Sequence, residues 1–108
     1  MADTWKVLGQ AAPSATTETD LYTVPGSTST TISSLMVCNR GSSATFRVSV
    51  SVGGGATANK DYLYYDLAIP ANDTFGATLG ITLAATDVVR VYASTTDLSF
   101  AAFGVEVA

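Results

Sequence analysis

Nine carboxylates are the side chains of this 108-residue chain best suited to chemistry, and their spacing limits what they can do. Glycoside hydrolysis needs two of them facing each other across a cleft. Asp73, Asp87 and Asp97 each follow a turn and precede an alternating run, where bonding to backbone donors accounts for a carboxylate. Asp61 and Asp66 bracket the stretch "YLYY"; with alternating side chains they fall on opposite faces and cannot converge without a bulge. Calcium would need several oxygen ligands drawn together by a tight loop, and "DTWK", "TETD" and "ANDT" offer only isolated acids. The chain has no histidine, which removes His-based triads and His-containing zinc sites. "GSSA" and "GGGA" lack the lysine and following helix of a phosphate-binding loop. These residues predict a protein that is not an enzyme and takes no metal or cofactor.

Two other residue classes bear on function. The single cysteine, Cys38, lies in the apolar context "SLMVCNR" and is expected to be a buried, inert thiol; one cysteine forms no intramolecular disulfide. Trp5, Tyr62, Tyr64 and Tyr92 could stack on sugar rings, although sheet aromatics of this kind ordinarily serve packing. "NDT" at Asn72 matches a glycosylation acceptor, a pattern without meaning unless the chain is secreted.

The elements that must carry these residues are strands. In "TFRVSVSV", residues 45–52, Phe46, Val48, Val50 and Val52 share one face and Thr45, Arg47, Ser49 and Ser51 the other. Such period-two alternation sets one face on a core. "GGGATAN" then forms a loop, and "KDYLYYD" reads as the antiparallel return strand. There, strict alternation sends Leu63 and Tyr65 inward and leaves Tyr62 and Tyr64 outward beside Asp66. Residues 74–83 alternate again, with Gly76 and Gly80 suggesting a bend, a bulge or a close neighbour. Residues 88–93 are dense enough in valine to be central, and 98–107 follow the turn "STTD". Upstream, 32–39, 21–24 and 4–9 are three further strands, with "QAAPSATTETD" as a polar linker. Phe46, Val48, Val50, Val89, Val91, Phe75 and Leu79 form the predicted core.

About eight short strands with turns between them, and no helix-period segment, predict an all-β, antiparallel β-sandwich or jelly-roll-like fold. The chain reads as one domain, residues 1–108, with residues 1–20 as an N-terminal arm and linker. Its composition agrees: 47% hydrophobic and only 13% charged, with a net charge of −4. The acidic balance argues against nucleic acid, because Lys6, Arg40, Arg47, Lys60 and Arg90 are scattered singly where phosphate binding needs clusters. No apolar run reaches the length of a membrane span. "MADTWKVLGQ" lacks the basic and apolar regions of a signal peptide, so the expectation is a protein made in cytosol.

Taken together, "WKVLGQAAPSATTETDLYTVP", "LMVCNRGSSATFRVSV", "DYLYYDLAIPANDTF" and "LAATDVVRVYAS…LSFAAFGVEVA" resemble small virion structural proteins of tailed bacteriophages. Among these are β-sandwich proteins that decorate or cement capsids. "LYTVP", "VCNRG" and "TDVVRVYAS…FGVEVA" carry the resemblance most specifically. It implies a non-enzymatic virion protein, made in the host cytoplasm, that bridges and stabilises capsid subunits. The implied partners are the major capsid protein or another virion protein and further copies of itself, a trimer at local threefold positions. One free cysteine suits a reducing cytosol. Trp5, Lys6, Arg47, Tyr62, Tyr64, Arg90 and Tyr92 are the candidate interface residues. The alternative is a tail or head appendage that binds a host-surface glycan or receptor.

Overall fold

The computed structural model describes residues 3–108. Eight strands follow one another: β1 (Asp3–Ala11), β2 (Thr19–Thr23), β3 (Ser29–Asn39), β4 (Ala44–Ser51), β5 (Tyr62–Ile69), β6 (Thr74–Leu83), β7 (Val88–Ala93) and β8 (Leu98–Val107). They form two antiparallel four-stranded sheets, ordered β1-β8-β3-β6 and β2-β7-β4-β5. Every connection crosses from one sheet to the other except β4 to β5, which is a hairpin. This is the strand order of a jelly roll, two Greek keys folded into a sandwich. β7 is an interior strand, as its valine content predicts.

The two sheets meet through the residues that alternation turns inward. Phe46, Val48, Val89 and Val91 are buried with Ile32, Leu35, Val37, Leu98 and Phe100, while Val50, Phe75 and Leu79 pack on this core from its margin. Phe46 is its centre, meeting the rings of Phe75 at 5.4 Å and Phe100 at 6.1 Å. Polar groups that enter the interior bring their own partners. Asn39 donates to the carbonyls of Ser42, Ile69 and Pro70 and accepts from the Gly41 amide. One buried amide thus ties the turn after β3 to the turn after β5. Asp87 accepts from the Gly53 and Ala84 amides at 2.9 Å each, and Asp73 accepts from the amide of Thr74. Asp87 thus pins its turn, as its position before a strand predicts; the Asp73 carboxylate is exposed and bonds only to the next amide, and at Asp97 it is the backbone amide, donating to Thr95, that bonds.

Three local expectations are corrected. Residues 3–11 do not form a loose arm: β1 pairs with β8 along its length, from Asp3↔Val107 to Ala11↔Phe100. Cys38 is exposed, because β3 turns Val37 and Asn39 inward on either side of it. In β5 the alternation breaks twice, with register shifts either side of the Val48↔Tyr64 pair. Asp66 stands there in the left-handed region, φ 51°, which Asp tolerates better than most residues. Tyr64 consequently points inward against Phe75 and Phe46, at 5.2 and 6.1 Å between rings, whereas Leu63 and Tyr65 are exposed.

Candidate interaction surfaces

Each sheet presents an outer face, and the two differ in chemistry. On β2-β7-β4-β5 the face is charged and aromatic. The Arg47 guanidinium lies over the rings of both Tyr65 and Tyr92, at 4.3 and 4.2 Å. It also donates to both carboxylate oxygens of Asp66, at 2.7 and 3.3 Å. That pairing raises the Arg47 pKa, burial opposing it. Tyr62, paired with Ser49, sets its ring edge-on to Tyr65 at 4.8 Å. The bulge makes this cluster: it places Tyr65 and Asp66 together on Arg47's side of the sheet.

Arg90 organises the neighbouring part of the same face. It donates to Asp20 at 2.9 Å, to Ser51 and Thr57, and to the carbonyls of Gly54 and Gly55. The loop between β4 and β5 is thereby folded back onto the sheet. Asp61 closes that loop, accepting from Lys60 and from the Ala58 amide, and both bonds hold its carboxyl below the usual range. These charges satisfy one another.

The outer face of β1-β8-β3-β6 is different. Cross-strand pairs line up Trp5, Val105 and Thr31 in one row, Val7, Phe103 and Ser34 in the next, and Met36 with Ala101 and Gly76 in a third. Among the described strand residues turned to this side, only Asp3, opposite Val107 at one corner, is charged. Trp5 is 76% exposed, and Val7 and Met36 are exposed on the same face. A shallow depression of about 370 Å³ lies between Gln10, Met36, Cys38 and Ala101. Lys6, although next to Trp5, is on the opposite side of β1, bonded to Glu106 at 3.3 Å.

The seven candidate interface residues therefore occupy four places. Arg47, Tyr62, Tyr92 and Arg90 share the charged face; Trp5 marks the nearly uncharged one; Lys6 lies at the rim between sheets; Tyr64 is half-buried, packed against the core. Tyr65 and Asp66, which complete the Arg47 cluster, escape a reading by strict alternation. An Asp inside an otherwise aromatic strand is the local signal for the bulge that brings them there.

Among the described residues no three His, Cys, Asp or Glu side chains gather as a metal site would require. Among the same residues no helix is long and apolar enough to cross a membrane. No family model, no curated protein and no solved structure matches the chain.

Proposed function

We propose that this protein is a non-enzymatic structural protein of a tailed-bacteriophage virion, one that decorates the capsid and bridges neighbouring subunits. The observation that carries the proposal is Trp5, 76% exposed on a sheet face nearly free of charge. Exposed apolar patches on a folded domain mark places where another surface docks. A tryptophan at such a patch is the residue type that most often anchors a protein interface. Covering this face removes apolar area from water without stripping water from buried charges, so it favours association. The jelly-roll order agrees with a virion role by fold analogy alone, since the same order serves capsid and lectin domains. The resemblance of the "LYTVP", "VCNRG" and "FGVEVA" segments to virion proteins supplies the partner, a capsid shell.

Attachment to a host glycan is the second reading, and the exposed ring of Tyr65 beside Tyr92 favours it. It ranks lower because a sugar stacks on an aromatic face, and Arg47 already occupies one face of each ring. Quantitative mass spectrometry of purified particles separates the readings. Decoration predicts copy numbers comparable to the major capsid protein, and a receptor-binding appendage predicts few copies. Absence from purified particles sinks both.

A further inference from the structure

A sandwich of two open sheets has four edge strands, and an edge offers unpaired backbone donors and acceptors to any strand that approaches. Three of these edges carry the features that discourage such pairing. β2 is five residues long, with Asp20 on it, a register shift and Pro25 close behind. β5 has two register shifts and Asp66. β1 has a register shift and the charges of Asp3 and Lys6. β6 also has a register shift, against β3 at Leu79 and Gly80, but its ten residues, "TFGATLGITL", hold no charge and no proline and alternate in burial to the end.

We propose that β6 is a self-association edge, pairing antiparallel with β6 of a second copy about a twofold axis at Thr78. The outward row of the strand reads Thr74, Gly76, Thr78, Gly80, Thr82, the same in either direction from Thr78. A twofold antiparallel register centred there sets Thr78 against Thr78 of the second copy, Gly76 against its Gly80, and Thr74 against its Thr82. Cross-strand Thr–Thr pairs are favourable, and no like charges meet. On the inward side the same register sets Phe75 against Ile81 and Ala77 against Leu79. Phe75, Leu79 and Ile81 are only partly buried in the single chain, whereas Ile32 and Leu35 of neighbouring β3 are fully enclosed. A second strand would cover what one chain leaves half open.

Gly80 is a separate indication. Its φ is outside the left-handed region, and a Cβ there would meet nothing within 4 Å, so the chain's own packing does not require glycine. Gly76, by contrast, is crowded by the Met36 sulfur, 3.0 Å from where a Cβ would stand. In the twofold register Gly80 of one copy comes beside Gly76 of the other, where Met36 already fills the space above the sheet. Gly80 also lies in the bulge of β6 against β3; a partner copy would give its open side a packing role as well. The result is a continuous eight-stranded sheet with a two-fold axis, in place of the threefold that the resemblance implies.

The pairing does not rest on the virion reading. Sedimentation equilibrium of the full chain should give twice its mass. Thr78→Lys and Thr78→Glu point to solvent in the single chain, so each should keep the far-ultraviolet dichroism of the native fold. Each should weaken the dimer at least about tenfold by setting like charges against each other, and an equimolar mixture of the two should restore it. A wild-type chain that stays monomeric or forms a trimer overturns the proposal, as does a dimer insensitive to both variants. A monomeric wild type that still coats particles would overturn the edge pairing while leaving the virion role standing.

Discussion

Tyr22 carries its hydroxyl to the rim between the sheets, where it meets Glu106 at 2.6 Å and Thr30 at 2.8 Å, with Lys6 on the far side of Glu106. Burial, reinforced by the Glu106 contact, pushes the Tyr22 pKa up to about 12. The bond from Tyr22, with help from Lys6 and against some burial, holds Glu106 below the usual glutamate range. The two shifts have opposite consequences. A raised tyrosine favours the fold below its unfolded pKa of about 10, and that contribution is lost as pH rises from there to about 12. A depressed glutamate favours the fold above its unfolded pKa of about 4.3, and that contribution is lost as pH falls through the folded value. Tyr22→Phe should cost about 1.5–3 kcal/mol at neutral pH, the range for hydrogen bonds to a charged partner. Denaturant unfolding at stepped pH should then show the gap to wild type closing between about pH 10 and 12. A gap that stays constant over that interval would contradict the assignment.

At the scale of elements, β5 shows how one residue reorients a strand. Asp66 at φ 51° inserts an extra position opposite Arg47, so Tyr65 and Asp66 both lie outside and Leu67 returns to face the core. The left-handed conformation costs a residue with a Cβ about 1–2 kcal/mol, which the paired Arg47 and the local sheet offset. Asp66→Val should therefore destabilise by about 1–3 kcal/mol, since it adds β-branching at that φ and also removes an exposed ion pair worth at most about 1. Asp66→Gly loses the same ion pair but relieves the backbone, so it should stay within about 1 kcal/mol of wild type. Thermal unfolding of the two variants side by side tests the ordering; Gly falling below Val would mean that the ion pair, and not the bend, holds β5.

The whole molecule separates residues that hold it together from those turned away from it. Phe46 is fully enclosed between the sheets, and Phe46→Ala should cost about 3–5 kcal/mol through lost burial and a residual cavity, a large share of a small domain's stability. Trp5 lies on an edge strand with three-quarters of its surface in water, so Trp5→Ala should change stability by no more than about 0.5 kcal/mol. Under the proposed virion role the same change should sharply reduce binding to particles. Melting temperature and a particle co-sedimentation assay, measured on one preparation, check both halves. Loss of stability without loss of particle binding would return Trp5 to a packing role.

Much of this architecture is legible in the sequence. The alternation in "TFRVSVSV" and in residues 74–83, and the valines of β7, determine strands and their buried faces, because side-chain period is a property of one strand by itself. Asp87, placed before a strand, already marks the turn that it pins. Pairing is another matter. That β1 lies beside β8, and β2 beside β7, depends on contacts between residues far apart in the chain, which no local pattern records. The faces of "YLYYD" were equally out of reach of simple alternation, since the bulges at Leu63 and Asp66 arise from how β5 docks on β4. Hence Tyr64, assigned outward by its spacing, packs against the core, and Tyr65, assigned inward, covers Arg47. The period-two rule gave Cys38 a face but not its surroundings; only the sandwich decided that the far side of β3 stays uncovered. A strand's own sequence states which side chains travel together, and the tertiary structure decides which of the two sides meets another sheet.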